Sequence, residues 1–477
     1  MSKDNLKSKT INSLVWDLSG SLGKQISAFV LSIMLARLLE PEEFGIVAMA
    51  MVFVSITDVF IEVGFTQGLV QRKNITDGHF NSVFIFNLIV SFFFAILLFC
   101  LSKPIGKFYE SKDIEMIIMY LSPIPIIGAL GKVHSSILIR SLNFKSLTIR
   151  DIISTIVGGI VGVIAAFYDF GAYSLVFKTY AAVSVGVIAL WYRSNWVPSL
   201  KFSYPKLREL MSFSFYIFLD NMLRQIFNKI NTLFIGKVFS PGVLGLFNRA
   251  ESLNLMVSSY TSDSLRKIIF PVLSSIQDDK KRFDRIFFKA MNLAGAASTL
   301  LAGILYFAAE PIIIILLTEK WAESIPIFKI LVFSTLTMPL TSLIARSIIS
   351  KGFSKVKFKM GIIQRILLLL PFPLALLYGI NFFAFGIVLA KLTILIVYVF
   401  FAVNYLKISL KKLLLNIFKP FIPLLICVIV LGYILDFKNI NPIINTIIFI
   451  VFQISVLIII KHPIVQFVNE ILKNKVS

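Results

Sequence analysis

Two cysteines, three histidines and 25 acidic residues in 477 positions leave little material for most of the chemistry a sequence can advertise. Cys100 and Cys427 both lie inside apolar runs, which excludes a disulfide framework and leaves the redox compartment open. His79, His134 and His462 are scattered along the chain without partners, so no metal site is expected. No GxxxxGK[ST] loop, nucleophile elbow, zinc motif or dinucleotide fingerprint stands out. The sequence therefore offers no catalytic residue, no cofactor and no direct drive by ATP. Charge is scarce as well, at 15% of residues against 57% hydrophobic, with a mean hydropathy of +0.87. Such a balance excludes a water-soluble globular chain. The formal charge of +22 would suit nucleic acid if Lys and Arg gathered on a water-facing surface. They stand instead in short clusters between apolar runs, so no nucleic-acid partner is expected.

What is present is a long series of those runs. A helix needs roughly 20 mostly apolar residues to cross the hydrocarbon, because each backbone N–H and C=O must be satisfied within the helix. That length predicts an all-α integral membrane protein with spans near 12–38, 44–66, 80–102, 115–138, 150–168, 170–192 and 211–236, then 242–264, 286–308, 324–348, 359–379, 381–405, 413–434 and 441–460. Lys3, Lys7 and Lys9 precede a first apolar segment too long for a signal peptide, so it is read as a retained span. Basic residues test the count independently. With both termini cytoplasmic, nearly all loop cations fall inside, and only Lys103, Lys107, Lys112, Lys237, Lys320 and Lys438 fall outside. The longest outer connection, around 309–323, holds the apolar run from Pro311 to Leu317, too short to cross and expected at the interface. Pro123 and Pro125 with Gly128 and Gly131, and Pro371 with Pro373, interrupt two spans and mark bending points.

An internal repeat organises these spans. Lys24-Gln25-Ile26 leads to Pro41 and Gly45, and Arg224-Gln225-Ile226 leads to Pro241 and Gly245, with identical spacing. Lys178 and Lys391 form a second matching pair. Six spans separate the copies, which makes them parallel repeats: a lobe over 1–200, a second over 201–408, and two extra helices with a tail over 409–477. Two parallel six-helix lobes suit alternating access around a site near the bilayer midplane.

Ionisable groups inside a bilayer are costly and usually face a wet cavity or one another. Lys24, Arg224, Lys178 and Lys391 lie near the middle of their spans. With few central carboxylates, they predict a positive cavity for an anionic passenger such as a diphosphate. Asp220, four residues before Arg224, shares its helix face, and Asp17 lies on the face of Lys24. Lys229 and Arg249 would extend the surface outward, and Arg140, Arg346 and Arg365 inward, where interfacial anchoring competes with substrate contact. Asp58 and Glu62, four apart, are candidates for ion coupling, as is Asp17.

Several segments carry a resemblance. LARLLEPEEFGIVAMAMVF (35–53), GFTQGLVQRKNITDGHFNSVFIFN (64–87), RSLNFKSLTIRDIISTIVGGIVG (140–162), GLFNRAESL (245–253), PVLSSIQDDKKRF (271–283) and LLTEKWAESIPIFKIL (316–331) resemble the Wzx-like polysaccharide transporter family. That family belongs to the multidrug/oligosaccharidyl-lipid/polysaccharide exporter superfamily, and the similarity is to its colanic-acid and teichuronic-acid exporter branch. The resemblance implies a V-shaped pair of six-helix lobes in a bacterial inner membrane. It also implies a flippase, not an enzyme, that carries undecaprenyl-diphosphate-linked oligosaccharide to the outer leaflet. Drive by an ion gradient or membrane potential is the expectation, with membrane lipid, a polymerase and chain-length machinery as further partners. A multidrug antiporter of the same superfamily is the first rival reading, and it would need uncompensated midplane carboxylates. A polysaccharide polymerase is the second, and its catalytic outer loop has no room here.

Overall fold

A solvent that offers no hydrogen bonds forces the backbone to satisfy itself, and this chain does so with helices alone. The structure, a computed structural model, describes residues 3–422, 424, 426 and 442–459, and no strand occurs among them. Contacts divide the chain into two compact units, Met1–Gly245 and Leu246–Ser477. In unit 1 the helices are α1 (Lys3–Leu38), α2 (Pro41–Glu62), α3 (Phe65–Gln71), α4 (Asp77–Tyr109), α5 (Lys112–Leu121), α6 (Ile124–Arg140), α7 (Phe144–Phe167), α8 (Tyr173–Ser194) and α9 (Tyr204–Val238). The boundary falls one turn into α10 (Pro241–Ser275). Unit 2 continues with α11 (Lys280–Phe307), α12 (Ala309–Leu317), α13 (Ser324–Val332), α14 (Met338–Ser350), α15 (Ser354–Leu367), α16 (Pro371–Tyr378), α17 (Ile380–Leu406), α18 (Leu410–Phe418) and α19 (Pro442–Ile459). Most of the span expected over 413–434, together with Cys427 and His462, lies outside the described residues.

Nine segments among the described residues are long and apolar enough to cross a membrane. Their polarity is inside out. On α4, Ile89, Phe92, Phe93, Ile96 and Phe99 are exposed while Ser91 and Ser102 are buried, which is the arrangement expected where lipid replaces water around the helix. The long helices α1, α9 and α10 fall outside the nine. Those three carry Lys24, the Asp220 to Lys229 series and Arg249.

The expected proline breaks are present. Helix ends at Leu121 and restarts at Ile124 after Pro123, and ends at Leu367 to restart at Pro371. A further break separates α2 from α3, where Val63 takes φ 41° and Gly64 φ 72°. A left-handed conformation is costly for a β-branched residue, so the surrounding packing must enforce it. The Pro311–Leu317 run folds into α12, which buries Ile313 and Leu317 and exposes Ile315.

Arg140 shows how a polar group is settled here. Its guanidinium donates to the carbonyls of Leu69, Arg72 and Lys73 at 2.6–2.8 Å and of Val70 at 3.3 Å. It thereby satisfies the C-terminal carbonyls of α3, at the negative end of the helix dipole.

The two Pro-Gly segments meet in packing within unit 1. A Cβ on Gly45 would lie 1.8 Å from the Pro241 carbonyl oxygen, and a Cβ on Gly245 would lie 1.8 Å from that of Pro41. The first turns of α2 and α10 therefore cross reciprocally, each glycine admitting the other helix's proline carbonyl. Gly45→Ala and Gly245→Ala are each expected to cost about 1–3 kcal/mol, the range for overpacking a close contact. A lowered melting temperature of the purified protein in detergent checks this. Arg140→Gln is expected to lower the same temperature by leaving α3 uncapped.

Candidate functional site

Three spans of unit 1 turn stripes of small and polar residues toward one another. On α6 the stripe is Gly128, Gly131, Lys132, Ser135 and Ile139. On α7 it is Arg150, Asp151, Ser154 and Thr155, and on α8 it is Ala182, Val183, Gly186, Val187 and Leu190. Spacings of three and four keep each stripe on one helix face. Together with Lys24 of α1, Asp58 and Glu62 of α2, and Thr66 and Gln67 of α3, they line a cavity of about 580 Å3. A second hollow of about 470 Å3 shares Lys24, Ser135, Ile139, Arg150 and Asp151 with it.

Charge in this cavity is arranged in bridged clusters. Lys132 Nζ lies 3.5 Å from Asp58 Oδ1 and 3.8 Å from Glu62 Oε2. Lys24 Nζ donates to Asp151 Oδ2 at 2.9 Å. Arg150 Nε sits 2.8 Å from Asp151 Oδ1, an ion pair by distance that lacks hydrogen-bond alignment. Side chains keep 26–47% of their surface, so all six are reachable from the cavity. Three cations thus meet three carboxylates, and the lining is neutral overall.

This differs from the positive midplane expected from Lys24, Arg224, Lys178 and Lys391. Lys24 is compensated by Asp151, while the side chain of Asp17 lies outside the described residues. Lys178 does not line the cavity. Its backbone and Cβ sit where α8 presses on Gly158 and Gly162 of α7, a contact too close for any side chain on those glycines. Arg224 is exposed on α9 and hydrogen-bonds Asn221, not far along its own helix. Asp220 is exposed and Lys229 half-buried on the same helix, and neither lines the cavity.

Lys391 and Arg249 belong to unit 2. Lys391 Nζ donates to Ser334 Oγ at 3.0 Å, and Asn254 Nδ2 reaches the same hydroxyl at 3.0 Å. Ser334 lies in the 3-10 turn Phe333–Leu336, where the span from Ser324 to Ser350 is broken. Arg249 is 9% exposed and stacks its guanidinium 5.1 Å from the Trp321 ring centroid.

Lys132 and Arg150 are not among the candidate residues read from the sequence. The glycine, lysine and serine stripe at 128, 131, 132 and 135 is the signal that finds Lys132, since a small and polar face inside an apolar span turns away from lipid. Asp58 and Glu62 are a crowded pair only until Lys132 is placed between them. Two of the histidines also have partners: His79 Nε2 lies 3.4 Å from Glu209 Oε2, and His134 Nδ1 lies 2.6 Å from Ser194 Oγ. No group of three or more metal-ligating residues occurs among the described residues.

Comparisons with known proteins agree with this architecture. A family model described as "Polysaccharide biosynthesis protein" matches residues 34–326. An "Uncharacterized membrane protein in cps region" of Klebsiella pneumoniae is 28% identical over 69% of this chain and 68% of its own length. The succinoglycan biosynthesis transport protein ExoT of Rhizobium meliloti (strain 1021) is 25% identical over 69% and 67%. The lipopolysaccharide biosynthesis protein WzxC of Escherichia coli (strain K12) is 21% identical over 90% and 89%. Among solved structures, the inward closed lipid II flippase MurJ superposes with TM-score 0.70 at 17% identity, covering 93% of this chain and 98% of that one. An inward-facing multidrug resistance transporter of the MATE family gives 0.64 at 14% identity over 82% and 96%. The fold is therefore that of a multi-pass membrane transporter, and the relatives group the chain with transport proteins, not with enzymes.

The bridging lysine generates a prediction. Lys132→Met leaves Asp58 and Glu62 unshielded and is expected to cost about 1 kcal/mol, a modest figure because all three groups are partly exposed. The triple variant Lys132→Met/Asp58→Asn/Glu62→Gln should regain most of that loss. Thermal melting of the purified variants measures both, and a triple variant no more stable than the single one would remove the bridge from the account.

Proposed function

We propose that this chain, which belongs to the polysaccharide biosynthesis protein family of Wzx-like transporters, moves undecaprenyl-diphosphate-linked oligosaccharide from the cytoplasmic to the outer leaflet by alternating access. The observation that carries the reading is the cavity in unit 1, where Lys24, Lys132 and Arg150 stand among the side chains of Thr66, Gln67, Ser135, Ser154 and Thr155. A diphosphate bearing roughly two negative charges would compete with Asp58, Glu62 and Asp151 for those three cations. Arg150 offers a planar fork and the lysines offer point charges, the two usual ways of holding phosphate oxygens. Thr66, Gln67, Ser135, Ser154 and Thr155 supply hydrogen bonds of the kind a sugar needs, while the polyprenyl chain stays in lipid. In this reading the halves 1–200 and 201–408 are the moving lobes, with 409–477 as accessory helices. The positions of Arg224, Lys178 and Lys391 make them secondary to Lys24 and Lys132 as passenger contacts.

The charge balance bears on the drive. An empty cavity with three cations and three carboxylates returns without moving charge, whereas a loaded one carries the charge of its passenger. Outward passage of anionic charge down an interior-negative potential is favoured by about 2.3 kcal/mol per charge per 100 mV. Membrane potential therefore suffices in principle, and Asp58 and Glu62, already engaged by Lys132, need not carry a coupling ion. A second reading, export of cationic drugs, requires the passenger to displace Lys132 from Asp58 and Glu62.

In proteoliposomes holding a labelled lipid-linked oligosaccharide, outward translocation is expected to slow severalfold when the potential is collapsed and to persist when proton and sodium gradients are collapsed at constant potential. The reverse pattern would reject drive by potential. In cells, Lys24→Gln, Lys132→Gln and Arg150→Gln should each lower surface polysaccharide about tenfold or more, as lost charged contacts to phosphate predict, with protein still present in the membrane. Normal export by all three would reject the anion cavity, and drug sensitivity with normal polysaccharide would favour the second reading.

A further inference from the structure

The three consecutive spans that build the cavity of unit 1 have a counterpart run in unit 2, comprising Ser324–Ser350, Ser354–Tyr378 and Ile380–Leu406. This run encloses a second pocket, of about 240 Å3, lined by Thr341, Ser342, Arg346 and Lys357 with the buried Tyr398. Its charge differs in kind from that of the first cavity. Between Glu323 and Asp436 the chain contains no Asp or Glu at all, while Arg346, Lys357 and Arg365 all lie in that interval. No carboxylate of these spans can therefore neutralise the pocket. Arg346 and Arg365 are the charged neighbours that bear on Lys357, and both repel it.

The polar groups around Lys357 hold it in place without discharging it. Lys357 Nζ lies 3.4 Å from Tyr398 Oη, and that hydroxyl donates to Gln364 Oε1 at 2.7 Å. Tyrosine and glutamine thus form a neutral brace, and among the described residues Arg346 has no ion pair. Like charges gathered beside a membrane-spanning bundle are costly unless an anion completes the set. A guanidinium fork, an ammonium and a serine hydroxyl around one hollow match the three-oxygen face of a phosphate group. Lys357 of this pocket belongs to the basic segment 351–359, which the positive-inside rule assigns to the cytoplasmic side.

We propose that the pocket formed by Arg346, Lys357, Ser342 and Tyr398 is a phosphate-binding site separate from the cavity of unit 1. Its ligand is a phosphate that arrives either on an anionic lipid headgroup or as a free or carrier-borne diphosphate. The site stands on its own geometry and is independent of what unit 1 carries.

The test uses the full chain purified in neutral detergent and carrying Lys24→Gln, Lys132→Gln and Arg150→Gln, which removes the three cations of the first cavity. Binding of inorganic pyrophosphate is measured by calorimetry. Binding of phosphatidylglycerol and of phosphatidylcholine is measured by native mass spectrometry. Pyrophosphate or phosphatidylglycerol should bind, and phosphatidylcholine should not. Adding Arg346→Gln or Lys357→Gln should weaken the interaction at least tenfold. Ser342→Asp should do the same while both cations remain, because it builds in the missing counter-charge. Its melting temperature should stay unchanged or rise, which keeps the test valid if Arg346→Gln misfolds. Binding of pyrophosphate alone identifies a diphosphate as the source, and binding of phosphatidylglycerol alone identifies a lipid headgroup. Absence of both, or binding indifferent to all three substitutions, overturns the site.

Discussion

A polar group within a membrane span faces one constraint: the surrounding hydrocarbon offers neither hydrogen bonds nor counter-charge, so a partner must be found inside the chain. Arg140 shows the simplest answer. It turns both terminal nitrogens of its guanidinium to the carbonyl end of α3. Lys132 shows the next, one ammonium shared between two carboxylates that would otherwise repel. Lys24, Arg150 and Asp151 complete a cavity whose charges cancel yet remain exposed enough to exchange partners. A neutral but polar cavity is stable when empty and still attractive to an anionic sugar carrier. Those are the two properties a carrier needs if it is to return unloaded.

Helix packing sets where such groups can stand. Glycine and proline at matching positions let the first turns of α2 and α10 cross at carbonyl distance. The same close approach of α7 and α8 places the stem of Lys178 in a helix interface and away from the cavity. Packing thus separates residues that look alike in sequence. Lys24 and Lys178 are both mid-span lysines, and only Lys24 reaches the hollow.

The two units solve the charge problem differently. Unit 1 carries its own carboxylates, whereas the pocket of unit 2 draws on spans that contain none. The pocket of unit 2 sets Arg346 beside Lys357, and phosphate is the anion that membranes supply in quantity. The asymmetry also explains why repeat-related residues need not share roles. Lys391 is tied to Ser334 at a helix break, where its counterpart Lys178 is tied into packing.

The sequence alone determined the class of the protein, because a run of twenty apolar residues has few fates and loop charge follows them. It also determined the transporter family, the proline breaks and the reciprocal Pro-Gly spacing, all of them local or periodic signals. It singled out Asp58, Glu62 and Lys24 because ionisable residues in apolar runs are conspicuous. Only the tertiary structure decided which charges meet. Lys132 and Asp58 are 74 residues apart in the sequence, and Lys24 and Asp151 are 127 apart, so no spacing rule links them. Whether a buried charge is a binding group or a structural one depends on the sum of neighbours within a few ångströms. That sum is fixed only when distant helices are brought face to face.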